Sequence, residues 1–136
     1  MAKTGPFNEH LAEYEQWFID HSYVFRSELE AIREVLPRHG NGVEIGIGSG
    51  LFAYELGIRD GVEPSGVMRE KAWERGLHAV DGIAEKLPYH ANTMDFALMV
   101  TTLCYVDDVI KAFKEVQSPK NGYGEGSFVV IEAVCS

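Results

Sequence analysis

The run Glu44-Ile45-Gly46-Ile47-Gly48-Ser49-Gly50 restricts this chain more than any other stretch of it. It follows a break at Gly40-Asn41-Gly42 and leads into Leu51-Phe52-Ala53-Tyr54-Glu55-Leu56, which reads as a short helix. Alternating glycines between a strand and a helix let the backbone come into contact with a ligand. They also leave the first N–H groups of the helix free to face it. The dinucleotide fingerprint requires glycine or alanine at position 51, which is Leu51. The phosphate-loop pattern is absent, and no lysine lies nearby. Glu44 would repel a pyrophosphate, whereas it suits a ligand with an ammonium group. The plain alternative is a tight turn that binds nothing.

A second acid fits the same ligand. Gly61-Val62-Glu63 reads as the end of a second strand, and Pro64-Ser65 opens the next helix. An acid at the tip of the second strand is where such folds hold both hydroxyls of a ribose. Taken alone, Glu63 reads equally as a charge favoured by a helix N-terminus. The glycine loop upstream favours the ribose role.

Four segments occur in one order: Glu44 to Gly50, Val62-Glu63-Pro64-Ser65, Ala84-Glu85-Lys86-Leu87-Pro88 and Met94-Asp95-Phe96-Ala97-Leu98. In that order they resemble class I S-adenosylmethionine-dependent methyltransferases of the small-molecule type, over most of the chain. The resemblance implies a Rossmann-like doubly wound sheet with the cofactor over the carboxyl ends of its strands. It implies that Gly46, Gly48 and Gly50 border the methionyl and adenosine moieties, and that Glu44 belongs to the same set. Glu63, with Pro64 beside it, would bind the ribose. Ile83, Ala84 and Glu85 would flank the adenine, and Thr101 would lie near the methionyl end. Many relatives carry an aspartate where this chain has Ile83, so adenine recognition is expected to rest on backbone groups and packing.

The length, 136 residues, suits one domain with a real core. No apolar run approaches membrane-spanning length, and the first residues lack the apolar stretch of a signal peptide. Cys104 and Cys135 show no metal-ligand spacing and read as reduced thiols. A formal net charge of -9 argues against nucleic acid as a default partner. The expectation is a cytoplasmic protein with neither a metal site nor a membrane partner.

The periodicity predicts an α/β fold. Phe7, Leu11, Tyr14 and Phe18 recur at helical spacing with Trp17 beside them; Phe25, Leu29, Ile32 and Leu36 mark a second helix, ended by Pro37. Strands are expected at 42–47, 77–81, 96–100 and 128–134, besides the short one ending at Glu63. A helix is expected over 65–75, with Ser65 as N-cap and Gly76 as its stop. Another should run from Asp107 or Asp108 to about Val116. The whole is a mostly parallel, doubly wound sheet of about five strands behind N-terminal helices. It divides into a helical cap at 1–39, a cofactor-binding core at 40–116 and an abbreviated strand region at 117–136.

The C-terminal part departs from the family, which continues through a further strand, a helix and a closing hairpin. Here only residues 117–127 and one strand follow. That strand, with its Gly-Tyr-Gly-Glu-Gly lead, looks like the family's last strand, which runs antiparallel. The chain geometry points the other way. A strand entered from a helix that has run back to the amino ends of the sheet lies parallel beside the 96–100 strand. Its edge carries Phe128, Val129, Val130 and Ile131 with no proline or lysine, so a homodimer through this edge is expected.

Methyl transfer relies on positioning and desolvation, sometimes with a general base. His21, His90, Tyr14, Tyr105 and Asp107 are candidates, and no spacing singles one out. Relatives close their N-terminal helices over the cofactor, so Tyr14 and Trp17 are weak substrate candidates, as is Tyr105 beyond the fourth strand. Cys104 reads as packing, with no histidine placed to activate it. The expectation is therefore methyl transfer from S-adenosylmethionine to a small-molecule acceptor, leaving S-adenosylhomocysteine. The alternatives are a non-catalytic protein that binds the same cofactor and, disfavoured by Leu51 and Glu44, a nicotinamide-dependent oxidoreductase.

Overall fold

The structure, a computed structural model, describes residues 11–83, 86, 88 and 94–100, and the backbone of 127–131. Among the described residues two amphipathic helices come first, α1 (Leu11–Asp20) and α2 (Ser22–Val35). Leu29 and Ile32 bury the inner face of α2. Leu36 ends that helix in an extended conformation, φ -73° and ψ 137°, as a residue before proline must. Phe18, Phe25 and Phe52 meet edge-to-face with centroids 5.0–5.8 Å apart, which seats both helices on the domain.

Among the described residues five parallel strands form a sheet in the order β3-β2-β1-β4-β5. They are β1 (Gly42–Ile45), β2 (Asp60–Val62), β3 (His78–Val80), β4 (Phe96–Val100) and β5 (Ser127–Ile131). Helix α3 (Leu51–Leu56) links β1 to β2, and α4 (Gly66–Glu74) links β2 to β3. Every residue of β4 is buried, which is why its sequence runs apolar without alternation. The chain builds outward from β1 to β3, then returns to the other side of β1. The order therefore reverses between β1 and β4, and the carboxyl ends there form the crevice where open α/β sheets take ligands.

The register of the central pair is fixed at the opposite end. Asn41 N–H donates to Asp95 Oδ2 at 2.7 Å, and Asp95 N–H donates to the Asn41 carbonyl at 2.7 Å. From there Val43 pairs with Ala97 and Glu44 with Leu98.

One expectation needs correction. The first strand ends at Ile45 rather than Ile47, because Gly46 turns the chain at φ +76°. Gly46 and Ile47 keep their N–H groups bonded to the Val62 carbonyl, so the loop stays tied to β2. The expected parallel course of the last strand is observed, unlike the antiparallel closing strand of the family. Ser127–Ile131 pairs parallel with Phe96–Val100, as the crossover geometry predicts. The helix expected near 107–116 lies outside the described residues.

Candidate functional site

The glycine loop leaves β1 at its carboxyl end. Gly46, Gly48 and Gly50 take φ of +76°, +61° and +89°, a region that side chains other than glycine seldom occupy. Gly50 also packs tightly: a Cβ there would fall 2.3 Å from Leu77 Cδ1. Gly48 is different. A Cβ would meet only Met68 Cε at 3.6 Å and the Tyr14 hydroxyl at 3.8 Å, ordinary contact distances. Gly50 is thus required by the fold itself. Gly48 leaves a shallow cradle floored by backbone and bounded by Met68 and Tyr14.

Two buried carboxylates flank this loop. Glu63 is 7% exposed and accepts from Gly48 N–H through Oε1 at 3.0 Å and from Ser65 N–H through Oε2 at 2.9 Å. It therefore joins the glycine loop to the start of α4, where Ser65 Oγ caps the helix by accepting from Met68 N–H. Burial pushes the Glu63 carboxyl up, and the Ser65 and Gly48 N–H groups and the Arg69 charge oppose that. Each oxygen keeps a further lone pair for a hydroxyl donor.

Glu44 is 2% exposed. Its Oε1 has no hydrogen-bond partner, and the other oxygen takes the Ala53 N–H in the first turn of α3. One helix N–H expected to face a ligand is thus spent on Glu44. Burial, and then the neighbouring Glu63, hold the Glu44 carboxyl well above the usual carboxylate range; the Ala53 N–H opposes this. A buried acceptor without a partner is costly, so such atoms mark places where a donor belongs. Ser49 Oγ, also buried and without a partner, lies in the same loop.

The aromatic candidates on α1 separate. The Tyr14 hydroxyl reaches the Gly48 cradle, whereas Trp17 is 45% exposed and stacks on His21 at 4.3 Å. His21 Nδ1 sits 2.9 Å from the Trp17 carbonyl, so this histidine serves the junction of the two helices. Pro64 is half-buried, next in the chain to Glu63 and Ser65. Ile83 is half-buried and its carbonyl accepts from Lys86 N–H at 3.1 Å. Ala84, Glu85, His90, Thr101, Cys104, Tyr105, Asp107 and Cys135 lie outside the described residues.

Arg75, just beyond α4, is a site neighbour that the sequence did not reveal. Its Nη1 donates to the Ser49 carbonyl at 2.9 Å, and its Nη2 stands 2.7 Å from Glu15 Oε2 on α1, an ion contact rather than an aligned hydrogen bond. A basic residue at the end of a helix reads as a dipole partner on the surface. Nothing local signals partners 26 positions upstream on the glycine loop and further still on α1.

The site therefore offers a glycine floor between two buried acids. Two buried acids beside the loop disfavour a phosphate there and leave acceptor positions for donor groups. The comparisons agree with that chemistry. A family model described as a methyltransferase domain matches residues 43–118. The chain is 33% identical over 111 residues to an uncharacterized protein of Methanocaldococcus jannaschii, covering 82% of this chain and 54% of that protein. It is similar to a crystal structure from Thermotoga maritima, an S-adenosylmethionine-dependent methyltransferase described as a possible histamine N-methyltransferase. The TM-score is 0.87 and the identity 44%, over 94% of this chain and 60% of that one. A Methanococcus maripaludis structure at 18% identity shares the fold, with TM-score 0.71 over 90% of this chain and 61% of that one. The chain spans about half the length of the curated relatives it matches. Among the described residues, no helix is long and apolar enough to cross a membrane.

Proposed function

Because the chain belongs to the methyltransferase domain family, we propose that it binds S-adenosylmethionine at the glycine loop and takes part in methyl transfer to a small-molecule acceptor. The family implies S-adenosylmethionine as cofactor and S-adenosylhomocysteine as product. The observation that carries the reading is the pair of buried acids on either side of the loop, one with an oxygen still lacking a donor. An ammonium group supplies that donor to Glu44 Oε1. Paired ribose hydroxyls suit the remaining lone pairs of Glu63. A ligand backbone lying along Gly48 fills the cradle that a Cβ would block.

When bound, the cofactor supplies an activated methyl group on a sulfonium. The chain's own part is to orient and to exclude water. Glu63 fixes the loop and the ribose together, Glu44 neutralises the ammonium, and Tyr14 borders the cradle from α1. Positioning of this kind is the main source of rate in an in-line displacement. The Thermotoga maritima relative makes histamine the first acceptor to try. We further propose a cytoplasmic homodimer paired through β5; among the described residues no strand lies beyond that edge.

Calorimetric titration with S-adenosylhomocysteine tests the binding reading, with nicotinamide dinucleotide as comparison. Saturable binding of the first alone is expected, and tight dinucleotide binding would overturn the assignment. Labelled methyl groups presented with histamine and other small amines test transfer. Cofactor binding with no labelled product across such a panel would leave a binding protein rather than an enzyme.

A further inference from the structure

Helix α1 is attached to the glycine loop at two adjacent residues. Tyr14 places its hydroxyl over the Gly48 cradle, and Glu15 meets Arg75 at 2.7 Å. Arg75 in turn holds the Ser49 carbonyl at 2.9 Å. Ser49, like Ile47, stands between two glycines of positive φ, so the loop there has little intrinsic restraint. Two side chains supply that restraint from opposite sides. Glu63 takes the Gly48 N–H, and Arg75 gives to the Ser49 carbonyl.

The ion contact is shielded, with side-chain exposures of 25% for Arg75 and 16% for Glu15. That separates it from the exposed Lys71–Glu74 pair within α4, at 39% and 67%. A pair held within one exposed helix contributes little. Removing one partner of a shielded pair costs more, because the other charge is left uncompensated away from water. Lifting α1 off the loop withdraws Tyr14 from the cradle and Glu15 from Arg75 in one motion.

We propose that Arg75 is a positioning residue that ties α1 to the glycine loop and so sets how fast the ligand enters and leaves; this rests on the reading that the loop binds S-adenosylmethionine. One guanidinium serves both partners because its planar fork presents several donors, which a lysine ammonium at the end of a shorter reach cannot match.

The test uses the ligand-free chain first. Hydrogen exchange should quicken in α1 for Glu15→Gln and Arg75→Gln while α2 keeps its protection; unchanged exchange in α1 overturns the tie. Association and dissociation of S-adenosylhomocysteine are then followed on the immobilised protein. Dissociation should rise about tenfold in Glu15→Gln and Arg75→Gln, the behaviour of a truncated shielded charge pair. Arg75→Lys should recover part of that loss, and Lys71→Gln should change it less than about twofold. Folded Glu15→Gln and Arg75→Gln variants with wild-type rates overturn the proposal and leave the binding site intact. A wild-type chain that fails to bind overturns both.

Discussion

The glycine loop and the N-terminal helices lie against each other, yet opposite kinds of interaction hold them. The loop is fixed by directed polar contacts: Glu63 on the Gly48 N–H, Arg75 on the Ser49 carbonyl, Val62 on the N–H groups of Gly46 and Ile47. The helices rest chiefly on Phe18, Phe25 and Phe52, whose contacts are apolar, with the Glu15–Arg75 ion contact as a polar tie from α1. Hydrogen bonds weaken steeply with angle, while apolar contact is nearly indifferent to it. The loop is therefore held to one geometry more strictly than the helices beside it.

Away from the Glu15–Arg75 tie, damage to one region should leave the other's property intact. The largest effect is expected in the helical layer. Ile32, fully buried on α2, should cost about 2–5 kcal/mol of stability when cut to alanine. Chemical denaturation measures that cost, and affinity for S-adenosylhomocysteine in the remaining folded protein should stay unchanged. A parallel loss of affinity would break the comparison. In the loop, Gly48→Val should do the reverse. The chain should still fold, because a Cβ there meets no atom closer than 3.6 Å, although a side chain at φ +61° strains the loop by about 1–3 kcal/mol. Calorimetry should show binding weakened at least about 100-fold, roughly 2.7 kcal/mol, since the branched side chain fills the cradle.

Glu63→Ala should weaken ligand binding by about 1.5–3 kcal/mol, as expected for hydrogen bonds to a charged group. Because Glu63 also holds the Gly48 and Ser65 N–H groups, a ligand lacking both ribose hydroxyls should lose affinity too, but less. Equal losses for the two ligands would make Glu63 purely a brace of the loop.

The smallest effect belongs to Glu44→Gln, and its sign depends on pH. The folded state holds the Glu44 carboxyl above its unfolded value, through burial and then the nearby Glu63. Its favourable contribution is thus fully present below the unfolded pKa and is lost as pH rises through the folded one. Thermal melts of the ligand-free protein should show the variant gaining on wild type as pH rises past the ordinary glutamate range, and binding S-adenosylhomocysteine more weakly. A wild type that stays as stable relative to the variant at high pH as at low pH would contradict the burial of an ionisable group there.

Much of the fold was legible because it is periodic. The stripe from Tyr14 to Leu36, the unbroken Phe96–Val100 run and the Ser65 cap each follow from local spacing, and each is observed. The end of β1 was not legible. Ile45 and Ile47 look alike in sequence, and only the positive φ of Gly46 separates strand from loop. In the site, the placement of the glycines was readable from their spacing. The second duty of Glu63 and the reach of Arg75 were not, since both depend on partners brought close by the sheet rather than by the chain. Trp17 and Tyr14 were equivalent candidates until the helix axis turned one to the cradle and the other to His21.

The exchange of hydrogen bonds between Asn41 and Asp95 has a consequence at the far end of the sheet. Side chains alternate along a strand, so a slip of β1 by one residue would reverse which face each of them occupies. Glu44 would turn from the loop, and an apolar neighbour, Val43 or Ile45, would stand in its place. The pairing that prevents this joins residues 54 positions apart in the chain, so it forms only after a long segment closes. The acidity at one edge of the sheet is thus inherited from a polar knot at the other, and a lesion in that knot would present itself as a defect in ligand chemistry.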